Sequence, residues 1–573
     1  MVFYDFEVFK YDWLVVLINP EIQEQTIIIN NRTQLSEFFE ENSDDIWIGF
    51  NSRRYDQYIL KSILLGLDPK ECNDFIILKN QDGYKFTNLF KRIQVNNYDV
   101  MQNNDRGLKW FEGSMGNNIK ETSVPFDINR KLTDDEIKET VKYCIHDVEQ
   151  TIELFLQRYA DFEAHIKLIQ MFKLPLSAIS KTKAQISAMI LEAYRQNFND
   201  EFEITFPDTL RLNKYEYVKK WYEDWENRDY TKSLKTDVAG VPHVFAWGGV
   251  HGARQSYISD GYFINMDVAS LYPNIMIRYN LISRACNPTK FKDIVDLRLK
   301  YKAEKNPMQA PLKIVINGTY GASKDKFNPL YDPLMANNVC VHGQLLLLDL
   351  LEHLEPHCEI IQSNTDGVLV KIPDTDEAFN QIDNIAREWE QRVGLTLEFE
   401  EFTKVIQKDV NNYILVKPDG HFKTKGAYVL ELTDLTYDLA IVNKAVIGYL
   451  VSNIPVEDTI NSCNDLKDFQ LVKKISSKYD CLKHGDKKLS EKCVRVFASK
   501  DKTKAGLFKV HKERGTTAKV EGTPHHCFIF NELVNGISVP EELDKSWYID
   551  VANKRINDFM YGGTDNAESN REK

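Results

Sequence analysis

The stretch Met266-Asp267-Val268-Ala-Ser270-Leu271-Tyr272-Pro273 puts a carboxylate at the end of an apolar run and follows it with a short, proline-terminated turn. The run Gly261 to Asp267 predicts a strand, so Asp267 stands at the end of it, either as a stray charge or as a ligand. Downstream, Lys313-Ile-Val-Ile-Asn317-Gly318-Thr-Tyr320-Gly321 predicts a helix from Ala310 that carries Lys313, Asn317 and Tyr320 on one face. An ammonium, an amide and a flat ring in a row make either a cradle for a nucleotide or a plain polar helix face. A helix expected over Asp293 to Glu304 sets Arg298 and Lys302 one turn apart. Further on, the apolar flanks around Asp-Gly in Glu359-Ile-Ile-Gln-Ser-Asn364-Thr365-Asp366-Gly367-Val-Leu-Val-Lys371 read as a β-hairpin.

In that order the three stretches resemble motifs A, B and C of family B DNA polymerases. The first matches D-x-x-S-L-Y-P. The resemblance implies that Asp267 binds both catalytic metal ions with Val268 beside it, and that Ser270 and Leu271 line the nucleotide. Tyr272 would stack beneath the sugar and leave no room for a 2′-hydroxyl. The second resembles K-x-x-x-N-S-x-Y-G, with Gly318 where serine is usual, and implies a nucleotide grip by Lys313, Asn317 and Tyr320. Arg298 and Lys302 would reach the β- and γ-phosphates. The third corresponds to D-T-D with Asn364 in the first place, so Asp267 and Asp366 keep the principal metal pair while Asn364 offers an oxygen without charge. Lys408-Asp-Val-Asn411-Asn412-Tyr413 stands where the family carries K-x-Y, with Asn411 for the lysine. Tyr413 carries over, and Lys423 and Lys425, on a second short basic strand, are expected to contact the primer backbone. Gly248 and Gly249, in Trp247-Gly-Gly-Val-His-Gly-Ala253, are expected DNA contacts in a glycine-punctuated segment that looks like a junction.

At the amino terminus, Asp5 and Glu7 lie two apart in the extended run Phe3 to Val8, hence on one face of a strand. Two neighbouring carboxylates repel unless a cation sits between them, so the pair is either a solvated strand face or a metal site. Asn51-Ser-Arg-Arg-Tyr55-Asp56 follows the strand Ile46 to Phe50, and Tyr143-Cys-Ile-His-Asp147 lies on a helix expected over Asp134 to Tyr159, with Tyr143 and Asp147 on one face. D-x-E, N-x-x-x-Y-D and Y-x-x-x-D in this order resemble the motifs of 3′→5′ proofreading exonucleases of the ribonuclease H-like fold. The resemblance implies that Asp5, Glu7, Asp56 and Asp147 hold two Mg²⁺ and that Tyr143 orients the attacking water. Asn51 would touch the DNA end. Lys120 is either the lysine that related enzymes place near the scissile phosphate or a surface residue.

The 573 residues, 43% of them hydrophobic, are enough for several cores. No signal-peptide pattern opens the chain, and the longest apolar stretch, Leu345 to Leu351, is broken by Asp349, so a soluble cytoplasmic protein is expected. The nine cysteines include no C-x-x-C pair and read as reduced core thiols. Cys481 with His484, and His525, His526 with Cys527, are a weak metal pattern. The net charge of −13 argues against a polyanionic partner, but Lys473 to Lys519 holds fifteen Lys or Arg against five Asp or Glu. That segment is either a phosphate-binding stripe or a lysine-rich solvated surface.

The expected fold is α/β and α+β multidomain, a ribonuclease H-like exonuclease domain plus a right-hand polymerase. The divisions are 1–190 exonuclease, 191–245 connection, 246–285 palm, 286–334 fingers, 335–435 palm, 436–560 thumb and C-terminal region, and 561–573 disordered tail. The expected activity is primer-dependent DNA synthesis with proofreading, with Mg²⁺ at both sites and Mn²⁺ as a substitute. Primer–template DNA, dNTPs and a single-stranded 3′ end are the partners of a monomer that uses no membrane. The compact length resembles phage and mobile-element polymerases. Only 46 positions separate Asp267 from Lys313, too few for the long insertion of the protein-primed subclass. Asn364 and Asn411 keep open a weakened polymerase-fold DNA-binding subunit, or an exonuclease whose C-terminal half only grips DNA.

Overall fold

The computed structural model describes residues 1–102 and 106–561; the tail expected from 561 onward lies outside them after its first residue. The chain forms two compact units. One joins Met1–Lys181, Leu432–Ile441 and Ile460–Tyr548, and the other joins Thr182–Glu431, Val442–Thr459 and the residues from Ile549. Both mix helices with sheet.

The first unit is built on strands β1 (Val2–Val8), β2 (Trp13–Asn19), β3 (Glu24–Ile29), β4 (Ile46–Gly49) and β5 (Asn96–Asp99), in the order β3-β2-β1-β4-β5. β1 runs parallel to β4 and antiparallel to β2, and all its residues except Asp5 are buried. That near-continuous apolar run is what a strand covered on both faces requires. On one face Tyr4, Phe6 and Trp47 pack with Leu35, Ile59 and Leu60. Phe3 meets Phe155 of the Asp134–Gln157 helix edge-on at 5.2 Å. A capping box of Thr133 and Glu136 starts that helix, and it stops two residues short of the expected end because a separate helix begins at Tyr159.

The carboxy-terminal part of this unit adds a sheet of Leu471–Lys474, Cys493–Ala498 and Cys527–Ile529, and another of Tyr479–His484, Lys487–Lys488, Leu507–His511 and Thr517–Lys519. The basic segment therefore lies on small antiparallel sheets. The weak metal pattern does not close here: His484 Nε2 lies 3.0 Å from Ala505 O and 2.9 Å from Cys527 O, so carbonyl groups occupy its ring. Among the described residues, Cys481 and Cys527 take no part in a group of ligand spacing.

Arg495 binds the parts of the unit together. It is 0% exposed, and its Nε donates to Gln470 Oε1 at 2.9 Å. One terminal nitrogen donates to Phe530 O and Glu532 O at 3.3 and 2.7 Å, and the other to Gly113 O and Asn117 O at 3.0 and 2.8 Å. Those five bonds use every donor a guanidinium has. Gly113 and Asn117 flank the carboxy end of the Leu108–Met115 helix, where carbonyls lack partners and the helix dipole is negative. Burial pushes Arg495 down to about 10, so it stays charged at neutral pH.

The second unit carries nine antiparallel strands: β6 (Ser233–Val238), β7 (Val241–Ala246), β8 (His251–Ala253), β9 (Tyr257–Val268), β10 (Glu359–Asn364), β11 (Gly367–Ile372), β12 (Leu397–Asp409), β13 (Asn412–Val416) and β14 (Phe422–Lys425). Their order is β14-β13-β12-β9-β11-β10-β8-β7-β6. β9 begins four residues before the expected start, because it pairs with β12 from Tyr257 onward, and its polar opening hid this from the sequence pattern. The Pro288–Ala303 helix also begins early: Asn287 accepts from Thr289 N and Pro288 opens the first turn. Trp247–Ala253, expected as a junction, lies inside this unit and supplies β8. The Pro333–Leu354 helix is long and apolar enough to cross a bilayer, and 94% of its apolar window is buried inside the protein.

Replacing Arg495 with Met would leave four carbonyls and one amide oxygen short of a donor in the interior. At about 1–3 kcal/mol for each buried unsatisfied group, a loss of roughly 3 kcal/mol or more is expected, read as a lower urea midpoint at unchanged slope. A midpoint equal to wild type would show that the clasp is not needed.

Candidate active sites

In the first unit, β1 presents Asp5 and Glu7, and the helix Asp56–Leu64 opens with Asp56, whose Oδ1 accepts from Phe6 N at 3.3 Å. The Asp134–Gln157 helix brings Asp147 and Tyr143 to the same place. Asn51, in the left-handed region at φ 60°, turns the chain from β4 towards Asp56, and its carbonyl accepts from Arg54 N and Tyr55 N at 3.0 and 3.2 Å. All four carboxylates thus share one neighbourhood. Burial and then the Asp147 charge raise Asp5 to about 7. Burial and then Asp5 raise Glu7 and Asp56 well above the usual carboxylate range. Burial raises Asp147 to about 6 against the pull of Lys109, and burial with the Asp147 charge raises the Tyr143 hydroxyl.

The cation in this neighbourhood is Lys109. Its Nζ pairs with Asp147 Oδ1 and, at 3.0 Å, with Glu112 Oε1, and it lies 4.5 Å from the centre of the Tyr143 ring. Burial works against the ammonium, but Asp147 and Glu112 outweigh it and hold the Lys109 pKa above its usual value. Lys120 has an exposed side chain, and its backbone N–H donates to Glu112 Oε2 at 3.4 Å. Reasoning from sequence overlooked Lys109 and Glu112. The available signal was a Lys and a Glu three apart inside the apolar run Leu108 to Met115.

In the second unit, β9 and β11 pair with Gly367 opposite Asp267, and Val268 N donates to Asp366 O at 2.7 Å. A Cβ on Gly367 would lie 1.9 Å from Asp267 Oδ1, so a side chain there would force the Asp267 carboxylate to move. Burial raises the Asp267 pKa, and the Asp366 charge adds to it against a hydrogen bond from Asn265. Both aspartates line a cavity of about 460 Å³ together with Val268, Ser270, Leu271 and Tyr272. Arg298, Lys302, Lys313, Asn317 and Tyr320 line the same cavity from the Pro288–Ala303 and Gln309–Lys324 helices. The Tyr272 and Tyr320 rings meet at 4.3 Å. Arg298 Nη1 is 3.5 Å from Ser270 Oγ, while its buried Nε has no hydrogen-bond partner among the described residues. Lys302 reaches Glu398 at 3.9 Å.

A second cavity, of about 580 Å³, is lined by the same two aspartates together with Asn364, Tyr413, Lys423, Lys425 and Glu400. Lys423 pairs with Glu400, Lys417 pairs with it at 2.8 Å, and Lys425 lies 5.8 Å from the Tyr413 ring centre. Gly249 sits under the turn, where a Cβ would be 2.7 Å from Thr365 Oγ1, whereas Gly248 faces open space. Asn364 Oδ1 accepts from Thr365 N at 3.0 Å and lies 3.1 Å from His251 Nδ1. An amide oxygen only accepts, so that nitrogen carries the proton and both lone pairs are engaged.

No family model matches the sequence. It is 25% identical over 296 residues to DNA polymerase 1 of Saccharolobus solfataricus, covering 42% of this chain and 32% of the relative. It is 26% identical over 196 residues to DNA polymerase 1 of Sulfurisphaera ohwakuensis, covering 34% and 21%. The chain thus spans a third or less of the length of these relatives. The solved family B DNA polymerase of the hyperthermophilic archaeon Pyrobaculum calidifontis aligns with 99% of this chain and 78% of its own, at 14% identity and a TM-score of 0.41.

Carboxyls raised above their unfolded pKa stabilise the fold fully only below that unfolded value, and the contribution fades as pH rises through the folded pKa. With Asp147 at about 6 and Asp5 at about 7, metal-free protein should lose thermal stability as the pH is raised from about 5 to about 8. Asp5→Asn should flatten that loss. Melting curves in chelator across this range check the expectation, and a wild-type profile that rises with pH would contradict it.

Proposed function

We propose that this chain, whose sequence similarities support a family B DNA polymerase, extends DNA from a primer 3′ end with dNTPs and removes mispaired ends by 3′→5′ hydrolysis. The observation that carries the synthetic half is that the pairing of β9 with β11 brings Asp267 and Asp366 together at one cavity edged with cations. Such a donor set, hard oxygens with mutual repulsion, suits a divalent cation of the Mg²⁺ type, with Mn²⁺ as a substitute. Two ions, when bound, would neutralise charge on the phosphoryl oxygens and ease deprotonation of the attacking hydroxyl.

The remaining work falls to the chain. Asp267, Asp366 and the Val268 backbone hold the cations. Lys313, Lys302 and the unpartnered Nε of Arg298 receive the triphosphate, the Arg as a fork and the lysines as point charges. Asn317, Ser270 and Leu271 fix the nucleotide, and the Tyr272 ring against Tyr320 walls off the 2′ position. The primer 3′-oxygen then attacks the α-phosphorus in line and pyrophosphate leaves. Tyr413, Lys423 and Lys425 steady the primer strand, with Gly248 and Gly249 beside it. Lys423 must first leave Glu400.

For the first unit, the strand order β3-β2-β1-β4-β5 and the four crowded carboxylates support a ribonuclease H-like exonuclease. Asp5, Glu7, Asp56 and Asp147 hold its cations, Tyr143 orients water, and Asn51 meets the DNA end. Lys109, and not Lys120, is the lysine that faces the scissile phosphate in this reading. The nine-stranded sheet then serves as palm and the helices Pro288–Ala303 and Gln309–Lys324 as fingers. Residues 436–560 remain proposed as a thumb and C-terminal region. The protein would act as a monomer on primer–template DNA of a phage or mobile element, in the cytoplasm of the host. The engaged Asn364 favours, as a second reading, a polymerase of reduced rate.

Primer extension with Mg²⁺ separates these readings. Asp5→Ala should abolish 3′-end degradation and spare extension, and Asp267→Ala should do the reverse; loss of both activities in either variant would sink the division of labour. Lys109→Met should slow degradation by about 100-fold, the scale of one removed electrostatic contact, with Lys120→Ala near wild type. The opposite ranking would return the role to Lys120.

A further inference from the structure

The exonuclease reading leaves Cys144 without a task. It follows Tyr143 on the Asp134–Gln157 helix and turns towards β1, with Sγ 3.4 Å from Asp5 O and 3.7 Å from Asp5 Oδ2. One ligand atom from each of Cys144, Asp5 and Glu7 lies within 4.8 Å of the others. Small rotamer shifts would bring them to the roughly 2.0–2.3 Å that a bound Zn²⁺ requires of oxygen and sulfur.

A thiol beside acids is not a site by itself. The second observation is Glu7, which is only 7% exposed. Among the described residues its carboxylate takes no hydrogen bond and no ion pair, yet it points at the same spot as Asp5 and Cys144. A buried acceptor left open in this way is a place for a ligand.

We propose that Asp5, Glu7 and Cys144 form a mixed oxygen–sulfur site for a thiophilic divalent cation, Zn²⁺ or its analogue Cd²⁺, which competes with the hard cations of the exonuclease reaction. Sulfur discriminates: Mg²⁺ takes oxygen ligands, whereas thiolate selects Zn²⁺ and its softer relatives. Binding makes a metal–sulfur bond and breaks the S–H bond, and the proton passes to solvent. A cation drawn to Sγ uses up Asp5 and Glu7, so degradation stops while the ion stays. Binding depends on the three side chains alone; its effect on degradation rests on the exonuclease reading.

The test is a Cd²⁺ titration of the full chain, following the thiolate-to-cadmium charge-transfer absorption in the ultraviolet, beside Cys144→Ser and Glu7→Gln. Cys144→Ser should lack one thiolate's share of the absorption. It should also need about tenfold or more Zn²⁺ for half-inhibition of degradation, measured against its own Mg²⁺-supported rate. Glu7→Gln should keep the band and shift its midpoint to about tenfold higher Cd²⁺. Equal absorption and equal zinc sensitivity in wild type and Cys144→Ser overturn the site. If circular dichroism shows Cys144→Ser unfolded, Glu7→Gln decides, and an unshifted midpoint overturns it. A cadmium band lost in Cys144→Ser, in a protein that degrades no 3′ ends, upholds the site and removes the exonuclease reading instead.

Discussion

Carboxylates repel, and in both units this fold holds them closer than an isolated strand or helix would. The Asp366 charge raises the Asp267 pKa, and the glycine that follows Asp366 lies so close that a methyl group there would meet Asp267 Oδ1. In the other unit, the Asp147 charge raises Asp5, and Asp5 raises Glu7 and Asp56, in a setting where burial already penalises charge. Such crowding persists only where the backbone is over-determined. β9 is hydrogen-bonded on one side to β11 and on the other to β12, and β1 lies between β2 and β4. Neither strand can retreat without breaking two ladders, so the carboxylates stay crowded.

The first unit supplies one cation of its own. Lys109 reaches Asp147 from the Leu108–Met115 helix, and that helix is held at its carboxy end by Arg495. A residue almost four hundred positions away in the chain thus steadies the helix that carries the ammonium. The geometry ties stability to electrostatics: the clasp that completes the carbonyls of Gly113 and Asn117 also limits how far Lys109 can move.

The positions that depart from the motifs this sequence resembles sit in distinct local settings. Gly318 stands where serine is usual, and a Cβ there would lie 3.1 Å from Ser187 Oγ of the neighbouring Lys183–Ile190 helix, while Lys313, Asn317 and Tyr320 keep the cavity face. Asn411 lies in the tight turn between β12 and β13, where its N–H donates to Asp409 Oδ1 at 2.8 Å, so the Asp409 side chain shapes this turn. Asn364 spends its side-chain oxygen on Thr365 and His251, which anchors the turn that presents Asp366.

What could be read from sequence was what short-range chemistry writes there. The strands around Asp5 and Asp267, the helix with Lys313, Asn317 and Tyr320, and the hairpin at Asp366 announced themselves through periodicity and turn residues, as did the order of the motifs. Where reading from sequence erred, polar residues obeyed distant partners: the start of β9 follows β12, and Pro288–Ala303 begins at a cap the apolar pattern did not include. Lys109 was invisible because its partner Asp147 lies 38 positions on, and Arg495 because its acceptors at Gly113 and Asn117 lie 382 and 378 positions away. Sequence alone determined which groups are available for chemistry. Only the tertiary structure decided which of them share a low-dielectric space, because Coulomb and hydrogen-bond energies depend on distance through space and not along the chain.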